Sequence, residues 1–204
     1  GLELWKDGDS TGDMNHSSDW GQYGDLQLGD LEKSERWIKR GQSVLDNAPS
    51  SARAAGTVKT MRARHIIESR QWQLQPLTDD LNASELLALG LSAAHLGDLA
   101  VANQVVARLD TLLAASPDSG QIKLVHHEVA ALTLHKESMQ QAMVDDAKRQ
   151  QAIELMQEAM TLRESQRAPN GAATPLKPVH ELAAEMLLEM GMHDEASELF
   201  GTSL

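Results

Sequence analysis

The sequence predicts an all-α chain: a right-handed α-solenoid of antiparallel helix hairpins, some of them degenerate. Three observations predict it. Leu and Ala are the commonest residues and Gln, Glu and Met are well represented, all good helix formers, while Phe and Tyr occur once each. No run shows the apolar–polar alternation of a half-buried strand. And one phrase recurs: a glycine, then a small residue five positions later, then an apolar stripe.

The first copy lies in "DWGQYGDLQLGDLEKSERWIKRG", with Gly29, Ser34, Ile38 and Gly41, and predicts a hairpin near 16–46. "GTVKTMRARHIIESRQW" predicts one helix of a second hairpin near 52–80. Its partner helix is compromised by Pro76 and the polar run from Thr78 to Asp80. The third hairpin, near 82–115, is the clearest. Asn82 and Glu85 make a capping-box pattern. Leu86, Leu89, Gly90, Ala93 and Ala94 fall on one helical face, and Gly97 ends that helix because glycine takes the left-handed cap cheaply. Leu99, Ala102, Val106, Leu109 and Leu113 stripe the second helix, and the small Ala102 lets the two helices approach closely.

"QIKLVHHEVAALTLHKE" and "AKRQQAIELMQEAMTLRES" pair near 119–166 across a lengthened turn, with Ala152, Met156 and Ala159 in second-helix places. From Arg167 to Pro178, three prolines and a glycine predict a loop. The last hairpin, near 177–204, has Val179, Leu182, Ala183, Met186, Leu187 and Met190 before Gly191, then Ala196 and Phe200. No boundary divides the series, so 1–204 reads as a single repeat domain.

Gly29 and Gly97 stand twice 34 residues apart, and 34 is the period of tetratricopeptide repeats. The glycine–small–apolar phrase resembles that family. "NHSSDWGQYGDLQLGD", "TPLKPVHELAAEMLLEMGMHDEASELF" and, through Arg64, Glu68 and Trp72, "MRARHIIESRQW" resemble the C-terminal part of a family of bacterial tetratricopeptide-containing proteins. There, a His-x-Ser-Asp-Tyr segment opens a hairpin and a Pro-x-x-Glu-Leu-x-x-Glu-Met-Leu-Leu-Glu segment closes the repeats. Trp20 stands here where Tyr is usual, Asp25 where an aromatic is, and His180 where Arg is common. The resemblance implies a scaffold with no established reaction, from a family that usually carries a longer, His-rich N-terminal part.

Charge and composition narrow the partners. The net charge of −12 repels a phosphate backbone, so no nucleic acid is expected, and it disfavours an anionic membrane surface. No apolar run approaches the roughly 20 residues of a spanning helix, so no membrane insertion is expected. The chain opens at Gly1 rather than Met, so the lack of a signal pattern leaves cytoplasm and periplasm both open. Without cysteine there is no disulfide, thiolate nucleophile or Cys-based metal site.

In tetratricopeptide arrays the first helix of each hairpin lines a concave groove. The resemblance therefore implies groove-facing His16, Asp19, Tyr23 and Gln27, then Arg64 and Glu68, then Ser84 and His95, and last Glu181, Glu185 and Glu189. The spacing of the three glutamates at i, i+4 and i+8 independently sets them opposite the apolar stripe. On the functional reading, this polar groove clamps an extended peptide, its carboxylates meeting Lys or Arg and Arg64 gripping a carboxylate bidentately. On the plainer reading these residues are a solvated helix face, and Asp19 is a helix cap with Gln22 at its third position.

No catalytic motif stands out. There is no nucleophile elbow, dinucleotide fingerprint or Walker loop. His180-Glu181 begins a zinc-protease pattern, but Ala184 holds the place of its second histidine. His126 and His127 are neighbours, about 100° apart on a helix, with His135 beyond them, so no metal or other cofactor is expected. Met156, Met160, Met186 and Met190 read as core filler. The expected function is a non-enzymatic scaffold for a protein, a peptide or a second copy of itself. The alternative is a small-molecule binder or enzyme around His16, Asp19, Tyr23 and Arg64, completed by a preceding segment. A third reading is self-association through Trp5, Trp20, Trp37 or the terminal hairpin, which reaches Leu204 without a capping helix.

Overall fold

Three glycines set three of the turns. Gly29, Gly97 and Gly191 take φ of 73°, 79° and 77°, a left-handed conformation that costs a residue without Cβ little. In two of them an aspartate follows and caps the next helix: Asp30 accepts from the Lys33 N–H at 3.0 Å and Asp98 from Val101 at 3.1 Å. The Gly-Asp pair thus stops one helix and starts the next. The small residue five positions after each glycine, Ser34, Ala102 and Ala196, is buried, as close helix approach requires.

The computed structural model describes residues 6–8, 10–140, 144–168 and 172–202. They contain nine α-helices and no strand: α1 (Gly12–Gln27), α2 (Leu31–Asn47), α3 (Ala52–Ser69), α4 (Ala83–Leu96), α5 (Leu99–Ala115), α6 (Gly120–Met139), α7 (Asp146–Ser165), α8 (Val179–Glu189) and α9 (His193–Thr202). Trp5 and Leu204 lie outside the described residues. Two compact units divide between Gln71 and Trp72.

In the first unit, α1, α2 and α3 each pack against the other two. α1 starts at Gly12, earlier than the sequence suggests, so Asp19 is an interior residue rather than a cap. Its inward face is polar: Thr11, Asn15, Ser18 and Gln22, with only Leu26 apolar. Hydrogen bonds satisfy that face. Asn15 Nδ2 donates to Thr11 Oγ1 at 2.9 Å and Gln22 Nε2 to the Met61 carbonyl at 2.7 Å. Trp37 of α2 lies on Gly21, where a Cβ would come 2.6 Å from the indole. Its Nε1 donates to Asp25 Oδ2 at 2.7 Å, which explains an acid at a place where the resemblance expects an aromatic. α3 ends at left-handed Arg70, and no second helix follows before Asn82. The region near 52–80 is one helix and a non-helical stretch, because Pro76 and the polar run after it cannot continue a helix.

In the second unit, α6 is central and packs on α4, α5, α7 and α8. The capping box of Asn82 and Glu85 is present. α4 is buried on every face from Leu86 to Ala94, and Gly90 lets α6 come close: a Cβ there would lie 2.5 Å from Val129 Cγ1. On α5 the buried stripe runs through Val105 rather than Val106, a one-position shift from the sequence reading. α9 packs on α8 and on no other described helix.

Candidate functional site

The residues expected to line a polar groove are largely occupied with one another. In the first unit Arg64 is buried. Its Nη1 donates to Asp19 Oδ1 at 2.7 Å and to Gln22 Oε1 at 3.0 Å, and its guanidinium carbon sits 6.0 Å from the Tyr23 ring centroid. Asp19, Tyr23 and Arg64 do converge, as a structural knot rather than an open clamp. His16 points elsewhere, edge-on to the exposed Trp20 at 5.8 Å between ring centroids. Gln27 and Glu68 are exposed.

In the second unit, Ser84 is half-buried. His95 stacks beneath Trp72, centroids 4.4 Å apart and planes 12° from parallel. The glutamates of α8 serve internal partners. Buried Lys177 donates to Glu181 Oε1 at 2.6 Å and to Glu185 Oε1 at 2.9 Å. Glu189 Oε2 meets His135 Nε2 at 2.9 Å and Lys136 Nζ at 2.6 Å. The His135 hydrogen bond, reinforced by Lys136 against partial burial, lowers the Glu189 carboxyl to about 2. The His135–Glu189 pairing spans 54 residues and has no local signal in the sequence.

Glu128 of α6 is the residue that sequence reasoning missed. It is fully buried, and neither carboxyl oxygen has a hydrogen-bond partner among the described residues. Burial pushes its carboxyl well above the usual range, against a weaker pull from Lys177. The signal was its setting in "LVHHEVAALTL", a lone acid inside an apolar run. Its neighbour His127 is held below the usual imidazole range by burial, with His126 adding to the shift. Among the described residues no three His, Cys, Asp or Glu converge as metal ligands, and no helix is long and apolar enough to cross a membrane.

A recess lies between α7, α8 and α9. It measures about 880 Å³ and is lined along α7 from Ile153 to Glu164, along α8 from His180 to Met190, and by Met192 and Leu199. Met156 and Met186 are buried at its floor and Met160 and Met190 half-buried in it. These four methionines, read from sequence as core filler, therefore also form a recess surface. It exists because α7 and α9 both pack on α8 and not on each other. An apolar recess of this size is within the range of small-molecule sites.

The chain matches none of the protein-family models, curated proteins or solved structures with which it was compared.

Proposed function

We propose that this chain is a non-enzymatic interaction scaffold, a solenoid of tetratricopeptide-like hairpins with a degenerate second repeat, which takes an amphipathic helix of a partner protein between α7 and α9. The three glycine turns, each followed by a buried small residue, support the repeat reading. The observation that carries the function is the methionine-floored recess of about 880 Å³. Methionine side chains are flexible and polarisable, so such a floor adapts to different apolar side chains, and a partner helix would insert residues at i, i+3, i+4 and i+7. The polar residues first expected to clamp an extended peptide favour this site by default, because Arg64 and the α8 glutamates already hold internal partners.

The test is fluorescence of the neutral apolar dye Nile red on the full chain. Met160→Glu and Leu199→Glu, which place a charge in the recess wall, are expected to abolish the signal while circular dichroism stays unchanged. His16→Ala with Tyr23→Ala is expected to leave it intact. Loss of the signal in that second pair, and not in the first, would favour the ligand-binding alternative at the Asp19–Arg64 cluster.

A further inference from the structure

We infer that the helix bound in this recess is cationic, about three turns long, with Lys or Arg flanking its apolar stripe on both sides. The inference rests on the recess being the partner site, and adds the length and charge of what occupies it.

Length follows from the walls. On α7 the lining residues are Ile153, Met156, Gln157, Met160, Thr161 and Glu164. They recur at i, i+3, i+4, i+7, i+8 and i+11, one continuous helical stripe that rises roughly 16 Å. His180, Ala183, Met186 and Leu187 on α8, with Met190 just after it, recur at i, i+3, i+6, i+7 and i+10, again along one helical side. A trough with three-turn stripes on its wall and floor matches a helix laid along it better than a compact small molecule.

Charge follows from the rims. Among the described residues, the ionisable lining groups are Glu164 on the α7 side, Glu195 and Glu198 on the α9 side, and His180, with neither Lys nor Arg. Glu195 and Glu198 are exposed. Glu164 lies in the last turn of α7, where the helix dipole adds negative potential, and its Oε1 meets His180 Nε2 at 3.0 Å. Arg149 reaches the Met190 end, where its Nη2 donates to the Met190 carbonyl at 2.8 Å. Lys and Arg suit such a trough because their aliphatic stems can cover methionine while their heads reach the acidic rims. A second copy of this chain is the poorer occupant, since it would bring −12 toward −12.

The experiment is fluorescence anisotropy of two labelled peptides with the full chain. Both have about 14 residues, roughly four turns, and the same leucine stripe. One carries lysine at every flanking position and the other glutamate. The lysine peptide is expected to bind at least about tenfold more tightly than the glutamate peptide, and to weaken about tenfold between low and physiological-to-high salt. Glu195→Lys with Glu198→Lys is expected to weaken the lysine peptide about tenfold and strengthen the glutamate peptide. Glu32→Lys with Glu35→Lys makes the same change in net charge on α2, and is expected to alter lysine-peptide binding by less than about threefold. Equal binding of both peptides, or equal effects of the two charge reversals, would overturn the cationic partner while leaving an apolar recess site standing. Failure of both peptides to bind would overturn the recess reading with it.

Discussion

Arg64 and Asp19 lie 45 residues apart in sequence and 2.7 Å apart in space, and the two ends of that pair are unequally buried. The Arg64 side chain is 4 % exposed and that of Asp19 31 %. Removing the acid strands a buried cation, whereas removing the cation leaves an acid that water can still reach. Asp19→Ala is therefore expected to cost about 3 kcal/mol, and Arg64→Met, which keeps the stem, about 1–2 kcal/mol. Urea unfolding of both variants checks the order. The reverse order would mean that Asp19 is not what compensates the guanidinium.

Gly90 makes a prediction about packing. A Cβ there would approach Val129 Cγ1 to 2.5 Å and Cγ2 to 2.7 Å. Gly90→Ala should destabilise by about 1–3 kcal/mol. Adding Val129→Ala should cost less than the two single changes summed, because the cavity and the clash cancel. At Gly24 and Gly56, within α1 and α3, a Cβ meets nothing within 4 Å. Alanine at either should stabilise by about 0.5–1 kcal/mol.

Glu128 makes stability fall toward alkaline pH. Burial raises its carboxyl in the folded state, so the folded chain keeps a proton that the unfolded chain releases above the ordinary value of 4.5. Stability contributed by that proton is full below 4.5 and lost as pH rises through the raised folded value. Glu128→Gln cannot ionise. It should gain progressively on the wild type from acid to mildly alkaline solution, read as diverging melting temperatures. Parallel pH profiles would show that Glu128 is not held neutral.

Glu189 acts in the opposite direction. Its carboxyl is lowered to about 2, so the stability it contributes is present above 4.5 and disappears as pH falls toward 2. Glu189→Gln should lower the melting temperature at neutral pH and narrow its gap from the wild type in acid.

What the sequence made legible was what local chemistry decides. The Asn82–Glu85 capping box, the turn at Gly97 and the prolines before α8 are short-range signals, and each stands where the sequence suggests. α1 was less legible because its inward face is Asn15, Ser18 and Gln22, so apolar periodicity has nothing to mark. The same polar inner face hid the role of Asp19, whose partner is on α3. The sequence places the α8 glutamates opposite the apolar stripe, and their buried partners Lys177 and His135 turn that acidic face into an internal one. The recess was illegible for a related reason. The spacing of Met156, Met160, Met186 and Met190 is the same for a closed core as for an open trough. Which of the two forms depends on α9 lying away from α7, a tertiary outcome.

The most direct measurement is carbon-13 NMR of the methionine methyl groups during titration with the leucine–lysine peptide. Met156, Met160, Met186, Met190 and Met192 belong to the recess, while Met61 is buried in α3. The account predicts that the recess methyl signals shift together with one binding curve while Met61 stays fixed. Binding that leaves the recess methionines unmoved, or moves Met61 as much, would contradict it.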